Sequence, residues 1–167
     1  MAVARSPVTG GFGSGRALEW GILLAVLLAL IGAYGQQARN LQAQAEFATI
    51  QSTVGALRTS LVIAHLHSQV RPATQMDLAT QRNPFKVLDT PPANYAGVVG
   101  MSNIMNVAPG SWVFDQDCVC VGYRPMNPQW LSSASASPAL WFRVSAPPGV
   151  LQLTPLESYN WQGQAIN

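Results

Sequence analysis

The chain is poor in charge. Only 10% of its residues are Asp, Glu, Lys or Arg, where a soluble domain carries about 25%. Lys86 is the only lysine, and the net charge of +2 comes from scattered arginines. No basic cluster exists, so the chain has no electrostatic footprint for nucleic acid, and no nucleic-acid partner is expected. Cysteine is scarce as well. Cys118 and Cys120 are the only two, too few for a disulfide framework, and they leave the redox compartment open. Proline is missing from the whole stretch between Pro7 and Pro72. Nothing there interrupts a helix.

That proline-free stretch organises the chain. From Trp20 to Tyr34 it is an apolar run, and Ala17 to Gly35 is long enough to cross a hydrocarbon core as a helix. It leads without a break into an amphipathic segment ending near Leu66, so one continuous helix of roughly 75 Å is expected at about 1.5 Å per residue. A signal peptide would have a shorter core followed by a small-residue cleavage site. The run instead continues into Tyr34-Gly-Gln-Gln-Ala-Arg39, which predicts a retained anchor. Arg5 and Arg16 precede it and no acid comes before Glu19. Positive-inside bias then places Met1 in the cytoplasm and the remainder outside, with Arg39 as the opposing charge.

Four segments follow from this reading: a leader over 1–15, a transmembrane helix over 16–35, an amphipathic helix over 36–71 and a head over 72–167. The leader contains Thr9-Gly-Gly-Phe-Gly-Ser-Gly15, glycine-rich enough to be disordered rather than helical. In the amphipathic segment Phe47, Ile50, Val54, Leu57, Leu61 and Ala64 recur at steps of three and four. This stripe predicts a face packed on the head's own sheet, with an intermolecular coiled coil as the competing use. Gln44, Gln51, Ser52 and Arg58 lie opposite. Gly55 offers a place for a strand to approach closely. Arg71-Pro72 closes the helix.

In the head the period changes to two. Ser111–Asp115 and Cys118–Tyr123 read as a hairpin, Ala139–Ser145 as a third strand and Val150–Leu153 as a fourth. Asn83-Pro-Phe, Asp89-Thr-Pro-Pro and Asn94 are turn chemistry, Met126–Pro138 is a polar loop, and the tail from Ser158 is extended or coiled. A helix followed by hairpin-linked strands predicts an α+β fold: a long N-terminal membrane-spanning helix packed on a small antiparallel sheet.

Few residues carry chemistry. Glu19 lies one turn inside the apolar run, where a carboxylate is either functional or reaches the interface with Arg16 as its partner. His65 and His67 point about 200° apart on a helix, which does not suit a shared metal. Cys118 and Cys120 on one strand would place their α-carbons about 6.5 Å apart. They could be core thiols, a disulfide or a redox pair. Asp115 and Asp117 read as turn residues or calcium ligands. No catalytic constellation, cofactor site or metal set emerges, so no enzyme is expected.

The order of leader, glutamate inside an apolar helix, amphipathic continuation and small sheet resembles the type IV pilin family, including the pseudopilins of type II secretion. Asn83-Pro-Phe, Pro92-Ala-Asn-Tyr95, Ser111-Trp-Val-Phe-Asp115 and Val119-Cys-Val-Gly-Tyr-Arg124 are similar to pilin-like proteins encoded with mannose-sensitive haemagglutinin pili. The resemblance implies a structural subunit, a minor pilin or pseudopilin, in the bacterial inner membrane with a periplasmic head. Its implied partners are the membrane, other pilin-like subunits, inner-membrane assembly proteins and a prepilin peptidase. In that family the peptidase cuts after a small residue and the glutamate is fifth in the mature chain. Glu19 is fifth if the cut follows Ser14 and fourth if it follows Gly15, so the implied cleavage region is Ser14, Gly15 and Arg16. The glutamate is implied to act in assembly, opposite a neighbouring subunit's new amino terminus. The competing reading is a single-pass scaffold that keeps its leader and assists assembly.

Overall fold

The computed structural model describes residues 14–70, 83–88, 90–145 and 152–166. The leader over 1–13, the segment over 71–82 and the start of the expected fourth strand lie outside the described residues. The fold is α+β, with one long helix and an antiparallel-rich sheet. Two compact units divide the chain, Met1–Gln42 and Ala43–Asn167.

The helix α1 is unbroken over Ser14–Val70, as the missing prolines dictate. It begins at Ser14, two residues inside the span expected for the leader. Within the first unit every residue from Gly15 to Tyr34 is exposed. Large apolar side chains lie on all sides of it, among them Trp20, Ile22, Leu23 and Leu28. A helix that is apolar all round is not a surface helix of a soluble domain. It is long and apolar enough to cross a membrane, and none of its most apolar window is buried.

In the second unit the helix carries the expected stripe. Ile50, Val54, Leu57 and Leu61 are buried, and Phe47 packs beside them. They share one core with Trp112, Phe114, Val121, Tyr123, Phe142, Leu153 and Trp161. The stripe is therefore part of the head's own core. Arg58 differs from the expected solvent face: it is partly buried and donates to the Leu153 carbonyl at 3.2 Å. Gly55 also differs. It is exposed, and a Cβ there would meet nothing within 4 Å.

Five strands form the main sheet in the order β1-β2-β3-β5-β6. They are β1 (Tyr95–Val98), β2 (Ser111–Asp115), β3 (Cys120–Arg124), β5 (Leu140–Ser145) and β6 (Gln152–Pro155). The central pairs are antiparallel, with Trp112 opposite Tyr123 and Gly122 opposite Trp141. The expected sheet was wholly antiparallel, but β1 pairs with β2 in parallel. A second sheet holds β4 (Leu131–Ser133), β7 (Tyr159–Trp161) and β8 (Gln164–Ile166). Here the tail departs from the expected coil. Gln162 and Gly163 both have positive φ, at 47° and 89°, the conformation of a two-residue hairpin turn that matches strand twist. The β7–β8 hairpin then buries Tyr159, Trp161 and Ile166.

Asn83-Pro-Phe is a capped 3-10 turn. The Asn83 Oδ1 accepts from the Phe85 amide at 3.1 Å and its Nδ2 donates to the Tyr95 hydroxyl at 3.1 Å. Phe85 is buried and stacks on Tyr95 with ring centroids 4.2 Å apart.

Candidate functional site

Glu19 stands on the exposed apolar part of α1. A helix places residues three apart on neighbouring positions, so Arg16 is within one turn of it. Neither residue forms an ion pair or side-chain hydrogen bond among the described residues. Ser14 and Gly15 are the first two residues of the same helix. The first unit thus presents one acid and one base at the start of a helix whose other exposed faces are hydrocarbon.

A second carboxylate is placed quite differently. Glu46 lies on the buried side of α1, 7% exposed, three residues beyond the fully buried Ala43 and four before Ile50. Its Oε1 accepts from the Tyr123 hydroxyl at 2.7 Å and from the Met126 amide at 2.8 Å. One turn earlier, the Ala43 carbonyl accepts from Trp161 Nε1 at 2.9 Å. Two sheets are therefore tied to one helical turn by polar bonds inside an apolar core. Such bonds are strong because water does not compete, and costly to break for the same reason. The Tyr123 phenol is pushed well above its ordinary value of 10.0, first by burial and then by its bond to the Glu46 carboxylate. Tyr159 is pushed up to about 12 by burial, although its oxygen accepts from the Trp141 amide. Glu46 Oε2 and Trp112 Nε1 are buried with no hydrogen-bond partner among the described residues.

The sequence signal for Glu46 exists in its spacing. It falls in phase with Ile50, Val54, Leu57 and Leu61. A lone glutamate in a helix is ordinarily read as solvated, and nothing local names its partners, which are 77 and 80 residues away.

The third cluster is the turn between β2 and β3. Cys118 and Cys120 are joined by a disulfide with α-carbons 5.3 Å apart. The expected placement of both on one strand is corrected: Cys118 belongs to the turn over 116–119 and only Cys120 to β3. Val119 between them has φ 55°, a left-handed conformation that brings the two α-carbons closer than an extended strand would. Asp115 organises the turn. Its Oδ1 accepts from the Asp117 and Cys118 amides at 2.8 and 3.4 Å, and its Oδ2 from the Met101 amide at 2.6 Å. Both oxygens are engaged by backbone, which is turn and cap chemistry. Asp117 is exposed. His65 is half-buried in α1, and the side chain of His67 lies outside the described residues.

These clusters stand apart in role. Glu19 belongs to the membrane-length segment, Glu46 fastens helix to sheet, and the cysteine turn closes one hairpin. Compared with protein-family models, curated proteins and solved structures, the chain finds no match in any of the three.

Proposed function

We propose that the chain is a structural subunit of a membrane-anchored filament, of the minor-pilin or pseudopilin kind, anchored in the bacterial inner membrane by α1 with its head in the periplasm. One observation carries the reading. A single unbroken helix is apolar and exposed all round near its start, bears Glu19 there, and farther on buries a stripe under an antiparallel-rich sheet. The exposed apolar surface needs a cover other than water, since each Å² returned to water costs about 25 cal/mol. Lipid and the same segment of other subunits supply that cover. A carboxylate in such a packed bundle requires a cationic partner, and a neighbouring subunit's amino terminus is one. The role is structural, with no catalysis, and its partners are other pilin-like subunits, inner-membrane assembly proteins and a prepilin peptidase.

A second reading, a single-pass scaffold that keeps its leader, is favoured by the local geometry. Ser14, Gly15 and Arg16 are already helical, whereas a peptidase needs its scissile bond in extended chain. The experiment that separates the two is mass spectrometry of the N-terminus of the protein taken from membranes. A chain beginning at Gly15 or Arg16 supports the filament subunit. An intact Met1 leader in the assembled machine rejects it in favour of the scaffold.

A further inference from the structure

We propose that the Cys118–Cys120 disulfide is a thiol-exchange site, opened by a dithiol partner that attacks at Cys118. The bond does little as a staple. It closes a loop around one residue, Val119, and the entropic gain from a cross-link shrinks as its loop shortens. The hairpin whose turn holds it is already paired at five positions, from Ser111 with Arg124 to Asp115 with Cys120. Neighbouring strands β1 and β5 hold both of its sides.

The closed loop is also strained at its centre. Val119 has φ 55°, where a β-branched residue is a genuine outlier. Such a conformation persists only where the surroundings enforce it. Here the Val119 carbonyl accepts from the Val144 amide at 3.0 Å, and its side chain packs against the main core. The two sulfurs tie its flanks. Opening the bond frees one of these restraints, and strained disulfides are the labile ones.

Access decides which sulfur is attacked. Cys120 is fully buried beside Val113 and Trp141, whereas Cys118 is half-buried in the turn. A thiolate of the partner attacks the Cys118 Sγ, forming a mixed disulfide, and Cys120 leaves and takes up a proton. The partner's second thiol, as thiolate, then attacks its own sulfur and releases Cys118. One disulfide and one dithiol become two thiols here and one disulfide on the partner, so two electrons and two protons are transferred.

The test uses the full chain in detergent, with oxidised and reduced glutathione as the probe, quenched by alkylation and read by mass. At a glutathione poise that leaves structural disulfides closed, wild type is expected to be more than half reduced. Val119→Gly, which relieves the left-handed conformation without a steric cost, is expected to shift the equilibrium toward the disulfide by about tenfold. With oxidised glutathione, Cys120→Ser is expected to acquire one adduct on Cys118 and Cys118→Ser none on Cys120. A wild-type bond that stays closed at every glutathione ratio overturns the proposal whatever the variants do. Equal adducts on both single-cysteine variants, or no shift in Val119→Gly, overturn the assigned point of attack and the assigned source of lability respectively.

Discussion

The Tyr123 hydroxyl donates to Glu46 Oε1 at 2.7 Å across 77 residues of chain, joining the centre of the main sheet to the helix. Both residues are nearly inaccessible to solvent. A buried carboxylate that loses one of its donors retains the desolvation penalty without the compensation. Tyr123→Phe should therefore lower the stability of the head by about 1–3 kcal/mol. Glu46→Ala should cost at least as much, because it strands the tyrosine hydroxyl and the Met126 amide together. The double variant should fall short of the sum by about 0.5–3 kcal/mol, the signature of a direct contact. Urea unfolding of the four proteins measures it, and strict additivity would disprove the coupling.

The same tyrosine and Tyr159 fix the alkaline behaviour. Both phenols are held neutral by burial, Tyr159 up to about 12 and Tyr123 well above 10.0. In the unfolded chain they ionise near their ordinary value. Folded pKa values raised in this way stabilise the head fully below pH 10 and lose that contribution as pH climbs from about 10 toward 12. The head's melting temperature should be flat with respect to these groups at neutral pH and fall steeply above about pH 10. Tyr159→Phe should make that fall shallower. An unchanged slope in the variant would mean that Tyr159 ionises freely in the folded state.

Gly122 is a packing requirement. A Cβ added there would lie 2.5 Å from Cζ3 of Trp141, its directly opposed partner, and 2.8 Å from a Val113 methyl. The indole is buried and cannot swing away. Gly122→Ala should destabilise the head by about 1–3 kcal/mol through overpacking. Trp141→Phe in the same chain should recover part of the loss by making room. Thermal melts decide the matter, and a neutral single substitution would show that the two strands can separate without penalty.

The helix and much of the sheet were legible because both are written in periodicity. Leu57 and Leu61 recur with Ile50 and Val54 at helical steps, and Ser111–Asp115 is a short run with three consecutive apolar residues set between turn signals. What stayed hidden depends on partners remote in sequence. β1 pairs in parallel through a crossover, which no local pattern announces. The β7–β8 hairpin turns on Gln162-Gly163, a weaker signal than Asn-Gly, and its strands are only three residues long. Glu46 is in phase with the stripe, but its partners Tyr123 and Met126 lie 77 and 80 residues away and nothing local names them. The disulfide lay within view as one of several states of Cys118 and Cys120, but its placement in a turn depends on Val119 adopting a backbone conformation that valine rarely takes.

Leu57 and Leu61 test the packing of the stripe. Both are fully buried in the core shared with Trp112 and Trp161. Either one changed to alanine should cost about 2–5 kcal/mol. Leu57→Asp should unfold the head outright, since it buries an unpaired charge. Hydrogen exchange of the full chain in detergent should show β3 and β5 losing protection together with the helix beyond Ala43. A head that keeps its protection with Leu57→Asp would mean that the sheet does not depend on the stripe.

Glu19 tests the proposed function itself. It is the only acid in the exposed apolar segment, and Arg16 is one turn away on the same helix without an ion pair to it. An unpaired carboxylate in hydrocarbon costs several kcal/mol, so a packed bundle of anchors must bring it a cation. In a filament subunit that cation is a neighbour's amino terminus, created only by cleavage. Glu19→Gln should then leave membrane insertion intact, because glutamine is cheaper to bury, while abolishing co-assembly with other subunits. In a scaffold that keeps its leader, Arg16 can swing to Glu19 in cis, and the same substitution should be nearly silent. Arg16→Gln separates the cases further. It should matter to the scaffold, which would lose the counter-charge one turn away on the same helix, and not to a subunit whose partner comes from outside. Cross-linking of assembled complexes in membranes reads both variants. Full co-assembly of Glu19→Gln would refute the filament role of this carboxylate.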